Sequence, residues 1–257
     1  MIINNSKKFS NFFTKSTGER EINFLVLHHV QAESAEHAAA MFIESEVSAH
    51  FLIDESGAVF SLVDENDAAY HAGHSFWRGV TGINKNSIGI EFINSAPFSK
   101  KFEPAQLQAG LELCQYLIEK YNIEAGNVVG HSDIAFYPVA GEGFLDRKQD
   151  PSHLFDWKFF AQNDVGVFPE VLVDEDKKLF ILSDKGAEIK SVKEKLAQFG
   201  YRVINFGEEF DVEMQMLARV FNRHFNADKF NDDADSWYLS SQMILDELMQ
   251  DMNSINL

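Results

Sequence analysis

Residues 22–29 read INFLVLHH. From Ile22 to Leu27 the run is almost unbroken in apolar character, the pattern of a strand buried on both faces. It ends on a pair of histidines, so polar, chemically capable side chains stand where a buried strand opens into a loop. On an alternating strand His29 faces the side opposite to His28. Working outward, Ser34 caps a short helix carrying Ala35, Ala38, Ala39 and Phe42. Ala49–Ile53 and Ala58–Leu62, parted by Asp54, Glu55, Ser56 and Gly57, read as a hairpin with a four-residue turn.

Residues 71–86 (HAGHSFWRGVTGINKN) are rich in Gly, His and Asn and lack periodicity, which predicts a long loop, more often functional than idle. SIGIEFI (87–93) resumes the strand pattern. Pro104 opens an amphipathic helix with Leu107, Leu111, Cys114 and Leu117 on one face, ending near Tyr121. Val128 and Val129 form a short strand that delivers Gly130 and His131 to a loop closed by Lys148, Asp150 and Pro151, with a final segment at Trp157–Phe160. Strands alternating with helices make this an α/β domain. After about residue 165 the pattern changes to a strand-like Leu179–Leu182 and three expected helices. The first carries Ile189, Val192, Leu196 and Phe199 and stops at Gly200. The second follows Phe210-Asp211 with Met216, Leu217, Val220 and Phe221 inward, and the third runs from Ser236 through Ile244, Leu245 and Leu248. The expected division is therefore 1–164 and 165–257.

The 257 residues suffice for one large domain or for a domain of about 150 residues with a smaller one. The formal charge of −18 is spread evenly, and with no basic stripe it argues against nucleic-acid and anionic-membrane binding. Cys114 is the single cysteine, which excludes an intramolecular disulfide and cysteine-rich zinc sites. No run approaches the ~20 apolar residues of a membrane span. The N-terminal MIINNSKKFSNFF has no apolar run of signal-peptide length, so the expected location is cytoplasmic, or periplasmic or secreted if a leader was removed or export is atypical. A monomer is expected.

His28, His131 and Asp150 are the candidate metal ligands, since His and Asp are common zinc donors. Each has a plainer reading: a histidine at a strand end as a hydrogen-bonded rim residue, an aspartate before proline as a turn starter. Glu91 interrupts the apolar strand IGIEFI, where a carboxylate is costly unless paired or near a cation. It reads as a general base beside a metal, or as half of a structural pair. His50, inside a hairpin strand, reads as packing or as support for a ligand. Trp77 and Arg78 suit a sugar or peptide surface, or a capping role.

The combination VLHH (26–29), SAHFLID (48–54), HAGHSFWRG (71–79), NKNSIGIEFIN (84–94), VVGHSDIA (128–135) and RKQDP (147–151) resembles the type 2 N-acetylmuramoyl-L-alanine amidases over roughly residues 20–160. These are zinc enzymes sharing the fold of peptidoglycan-recognition proteins. The resemblance implies a central mixed sheet flanked by helices, one Zn2+ per chain on His28, His131 and Asp150, Glu91 as catalytic carboxylate and Lys148 as oxyanion helper. It implies hydrolysis of the amide between N-acetylmuramic acid and L-alanine in peptidoglycan or muropeptides. The loop 71–86, with His71, Trp77, Arg78, Asn84 and Ser87, is expected to hold the sugar and peptide. Phe136–Leu145 stands out as an insertion, made mobile by Gly141 and Gly143, beside the metal. KEKLAQFGYRV (193–203) and FDVEMQMLARVFNRHF (210–225) resemble the first two helices of a peptidoglycan-binding domain; the competing reading is a helical cap on the amidase domain. Two other functions compete: a non-catalytic peptidoglycan-recognition module, which has no need of Glu91 and Lys148, and a zinc peptidase or deacetylase with another substrate.

Overall fold

The computed structural model describes residues 3–4, 12–135, 137–139 and 143–255. They form two compact units. The first comprises the described residues up to Gly73, with Gly82–His131 and Gln149–Val167. The second comprises His74–Thr81, Ser132–Lys148 and the described residues from Phe168 onward. Two stretches before residue 164, His74–Thr81 and Ser132–Lys148, thus belong with the C-terminal helices. Among the described residues no helix is long and apolar enough to cross a membrane.

The first unit is built on a mixed six-stranded sheet. In spatial order its strands are Ile3–Asn4, Val59–Ser61, Phe51–Ile53, Ser87–Ile93, Phe24–Val30 and Val128–Gly130. Only the hairpin pair, Phe51–Ile53 with Val59–Ser61, is antiparallel. The strand that opened the sequence reading lies between Ser87–Ile93 and Val128–Gly130, and Leu25, Val26 and Leu27 are fully buried. Each contributes about 1.5–3 kcal/mol from apolar burial. The hairpin turn is held by Asp54, whose Oδ1 accepts from the Ser56 and Ala58 amides at 2.9 and 3.0 Å. Gly57 there has φ +86°, and a Cβ would lie 2.7 Å from the Ala105 carbonyl oxygen.

Helix Ala35–Glu44 starts as expected, with Ser34 Oγ accepting from the His37 amide at 3.2 Å. Helix Pro104–Tyr121 has proline in its first turn and buries Leu111, Cys114 and Leu117. Gly110 on the same helix lets Phe92 approach; a Cβ would stand 2.5 Å from that ring. Phe92, Phe102, Phe155 and Phe160 pack there edge to face or tilted.

The second unit has its own aromatic core, in which Trp77, Phe199, Tyr201, Phe221 and Trp237 are buried. Helix Ala187–Phe199 ends at Gly200 (φ +153°), where a Cβ would meet the Trp77 ring at 2.8 Å. Helix Val212–Phe225 is capped by Asp211, which accepts from the Met214 amide at 2.9 Å. Met214 is buried there, while Met216, expected inward, is only half-buried. A further helix, Ala227–Asp233, escapes the sequence reading, and the last helix is Leu239–Ile255, preceded by strand Trp237–Tyr238 pairing with Lys178–Phe180. The expected structureless loop also contains an antiparallel pair, Phe76–Trp77 with Val80–Thr81. Of the expected insertion, Phe136, Ala140, Gly141 and Glu142 lie outside the described residues; Tyr137–Val139 pairs antiparallel with Gly143–Leu145.

Polar contacts inside this unit hold the 132–148 segment to its helices. Arg223 forks onto Asp146, Nη1 to Oδ1 at 3.0 Å and Nη2 to Oδ2 at 2.6 Å, with both side chains buried or nearly so. Asp133 takes Tyr201 Oη on one oxygen at 3.0 Å and His224 Nδ1 on the other at 2.7 Å. Breaking a buried ion pair leaves the partner charge uncompensated, at about 3–5 kcal/mol. Arg223→Ala is expected to lower unfolding free energy by about that amount in urea titration; a change below about 1 kcal/mol contradicts this reading of the contact.

Candidate metal centre

Sheet register brings the chemistry together. In the parallel pairing His28 stands opposite Glu91, and Leu27 opposite Gly130, so His131 leaves its strand at the level of His28. Cα partners of a parallel pair share a face, so His28 and Glu91 project to the same side. The short helix His131–Ile134 follows at once. Asp150 arrives from the segment before Pro151, to which it is joined by a cis peptide.

The ligand-capable atoms converge. His28 Nδ1 lies 3.0 Å from His131 Nδ1 and 2.9 Å from Asp150 Oδ2, and His131 Nδ1 is 3.0 Å from the same Oδ2. Both imidazoles are buried. His131 Nε2 is 3.3 Å from the Ala72 carbonyl oxygen, which can only accept, so the proton of the neutral ring sits on Nε2 and its Nδ1 presents a lone pair. A lone pair and a carboxylate oxygen at 3 Å repel unless a cation lies between them. Ligands at ~2.0–2.2 Å around a tetrahedral ion stand roughly 3.3 Å apart, so two imidazole nitrogens and one carboxylate oxygen at this spacing fit a zinc-type centre. His28, His131 and Asp150 form the metal-competent group among the described residues.

Glu91 is half-buried, its Oε1 4.0 Å from His28 Nδ1, beside the metal-competent group and outside it. His29 points elsewhere, with its ring edge-on to Phe98, and burial lowers its pKa. Lys148 is exposed, belongs to the second unit, and has its carbonyl oxygen 3.5 Å from Arg223 Nη1.

The residues expected on substrate are occupied otherwise. His71 and Ser87 are buried behind the metal group: His71 Nδ1 is 3.1 Å from His28 Nε2, and His71 Nε2 is 3.0 Å from Ser87 Oγ. Asn84 Oδ1 accepts from the amides of His71 and Ala72 at 3.1 and 2.7 Å. Trp77 is 1% exposed, edge-on to Tyr201, and Arg78 donates through Nε to the Phe199 carbonyl at 3.0 Å. Of the residues expected on substrate, Trp77, His71 and Ser87 are buried in this structure.

Sequence reasoning missed Arg20. Its guanidinium donates to five carbonyls, those of Lys85, Glu65, Asp67, Asn84 and Ser87, at 2.5–3.3 Å. It thereby ties together the segments that carry Asn84 and Ser87. A lone arginine before an apolar strand gives no warning of this, because the carbonyls come from distant parts of the chain. His50, fully buried, accepts from the Gly89 amide on Nδ1 and donates from Nε2 to the Asp67 carbonyl, each at 3.0 Å. Packing is its role. Burial and then the Arg20 charge push its pKa down to about 3. Burial, then neighbouring His28, His50, His131 and Arg20, hold His71 well below the usual histidine range.

With the fold and the convergent group established, comparison with known proteins is decisive. A family model for N-acetylmuramoyl-L-alanine amidases (Amidase_2) matches residues 18–153. The chain belongs to that family. This amidase is 32% identical to the N-acetylmuramoyl-L-alanine amidase AmiD of Escherichia coli K12 over 247 residues, 89% of this chain and 83% of the relative. It is 29% identical to the 1,6-anhydro-N-acetylmuramyl-L-alanine amidase AmpD of Haemophilus influenzae over 171 residues, 59% of this chain and 87% of that protein. The solved structure of E. coli AmiD with anhydro-N-acetylmuramic acid-L-Ala-D-gamma-Glu-L-Lys superposes with a TM-score of 0.73 at 27% identity, covering 94% of this chain and 98% of that one. The mixed α/β sheet of this amidase is the fold of those relatives.

Neutral His50 and His71 make the fold acid-sensitive. Their folded pKa values lie below the ~6.5 of an unfolded histidine, so between about pH 6.5 and about 3 the unfolded chain binds more protons and stability falls as pH falls. Urea titrations of metal-stripped protein should show this slope beginning near pH 6.5, and a shallower slope in His50→Asn. A flat profile from pH ~7 to ~5 contradicts it.

Proposed function

We propose that this amidase is a zinc enzyme cleaving the bond between the lactyl carbonyl of N-acetylmuramic acid and L-alanine, with soluble 1,6-anhydro-muropeptides among its substrates. The observation that carries the zinc reading is the convergence of His28 Nδ1, His131 Nδ1 and Asp150 Oδ2 within about 3 Å of one another. The substrate reading is supported by the likeness to E. coli AmiD, whose solved complex holds an anhydro-muropeptide.

His28, His131 and Asp150 would hold the ion. When bound, zinc supplies Lewis acidity that polarises an amide carbonyl and eases deprotonation of water. Glu91, on the same face as His28 and half-buried, takes the proton from the attacking water and returns it to the departing L-alanine nitrogen. Its partly desolvated setting suits a carboxylate that must both accept and release a proton. Lys148, two residues before Asp150 in the RKQDP run, is assigned to the developing oxyanion on the strength of the family resemblance. Wall binding by the C-terminal helices rests on their resemblance to a peptidoglycan-binding domain. Helix Val212–Phe225 supplies Arg223 and His224, and Tyr201 follows the end of helix Ala187–Phe199; they hold Asp133 and Asp146, so this part of the chain also serves as structure.

Mass spectrometry of a digest of anhydro-muramyl tripeptide should show free anhydro-N-acetylmuramic acid and an L-alanine-led peptide. Other cleavage positions, or no cleavage by zinc-loaded protein, overturn the assignment. Glu91→Gln is expected to keep stoichiometric zinc and to lose about 10²–10⁴ in kcat. His131→Ala should lose metal and turnover together, as metal analysis beside the same assay will show.

A further inference from the structure

The two ligand imidazoles share one support. His28 Nε2 is 3.1 Å from His71 Nδ1, and His131 Nε2 is 3.3 Å from the carbonyl oxygen of Ala72, the next residue along. This dipeptide is itself held. Asn84 Oδ1 accepts from both of its amides, Ser87 Oγ lies 3.0 Å from His71 Nε2, and Arg20 donates to the carbonyls of Asn84 and Ser87 at 3.0 and 2.7 Å. Gly89 leaves the room: a Cβ there would stand 2.5 Å from His71 Cγ.

Proton accounting then runs in one direction. The Ile83 carbonyl, 2.9 Å from Ser87 Oγ, can only accept; with the single hydroxyl proton assigned there, Ser87 accepts towards His71. His71 Nε2 therefore carries a hydrogen. A neutral imidazole has one N–H, so His71 Nδ1 is an acceptor and the proton on His28 sits on Nε2. The lone pair of His28 Nδ1 is left facing Asp150 and His131.

We propose that His71–Ala72, fixed by Asn84 and Ser87, is the positioning device that locks both His28 and His131 in the Nε2–H tautomer, so that both Nδ1 atoms are presented to the metal. The chain Ile83–Ser87–His71–His28 carries one half of this lock and the Ala72 carbonyl the other. His71 and Ser87 act through the ligands and touch no substrate. The inference rests on the zinc reading of the site, but its first test needs no metal.

Long-range proton–nitrogen NMR of histidine rings in metal-free wild type reads the tautomers directly. Protons on Nε2 of His28, His71 and His131 are expected; an Nε2 without a proton on either His28 or His131 overturns the lock. Zinc competition against a chromophoric chelator supplies the second readout. His71→Phe, which removes the acceptor, should weaken zinc binding about 10–100-fold, and His71→Asn, which keeps an acceptor oxygen near the place of Nδ1, should recover most of it. Zinc binding by His71→Phe within twofold of wild type, or equal loss in both variants, overturns the role given to His71. Should His71→Phe fail to fold, tautomers in the wild type and the affinity of His71→Asn still decide. Wild-type protein that shows these tautomers but does not bind zinc would sink the zinc reading and leave the lock standing.

Discussion

Lone pairs held about 3 Å apart in a buried site repel each other, and this structure assembles them deliberately. His28 Nδ1, His131 Nδ1 and Asp150 Oδ2 face one another, while the opposite nitrogen of each imidazole is engaged by His71 or the Ala72 carbonyl. Such a cluster is unfavourable until a cation occupies it. Much of the surrounding architecture answers to that constraint: the register that sets Glu91 beside His28, the glycine that admits His71, and the half-buried arginine that ties down the segments behind it.

The parts of this legible in sequence were those encoded by local pattern. The apolar run before His28, Ser34 as a cap, the Asp54 turn and Pro104 at a helix start all depend on neighbours a few residues away, and the fold uses each as read. Glu91 was legible for a related reason: a carboxylate breaking an apolar strand needs a cation nearby, whatever the fold. The support layer was not legible. His71, Asn84 and Ser87 sit in a Gly- and Asn-rich stretch that reads as a binding loop, and only the approach of that stretch to the strand at Gly89 turns them inward. Trp77, which reads equally as a sugar platform or a capping residue, packs edge-on to Tyr201 and Phe199, partners that lie far along the chain.

The C-terminal helices illustrate a second limit of linear reading. Their apolar faces announce a separate module, and they do have a core of their own. Yet that unit also contains Ser132–Lys148, which begins next to one metal ligand and ends two residues before another. The residues that fasten it, Arg223, His224 and Tyr201, are polar positions on or beside helices whose patterning speaks only of packing. A family match that ends at residue 153 thus spans pieces of both units.

The central claim is that this cluster exists to hold a zinc-type ion through two imidazoles and one carboxylate. X-ray absorption at the zinc edge of purified protein tests it most directly. The expected first shell consists of nitrogen and oxygen donors at about 2.0–2.2 Å, with the outer-shell scattering of two imidazoles and no sulfur. A shell with sulfur, or one showing fewer than two imidazoles, contradicts the account.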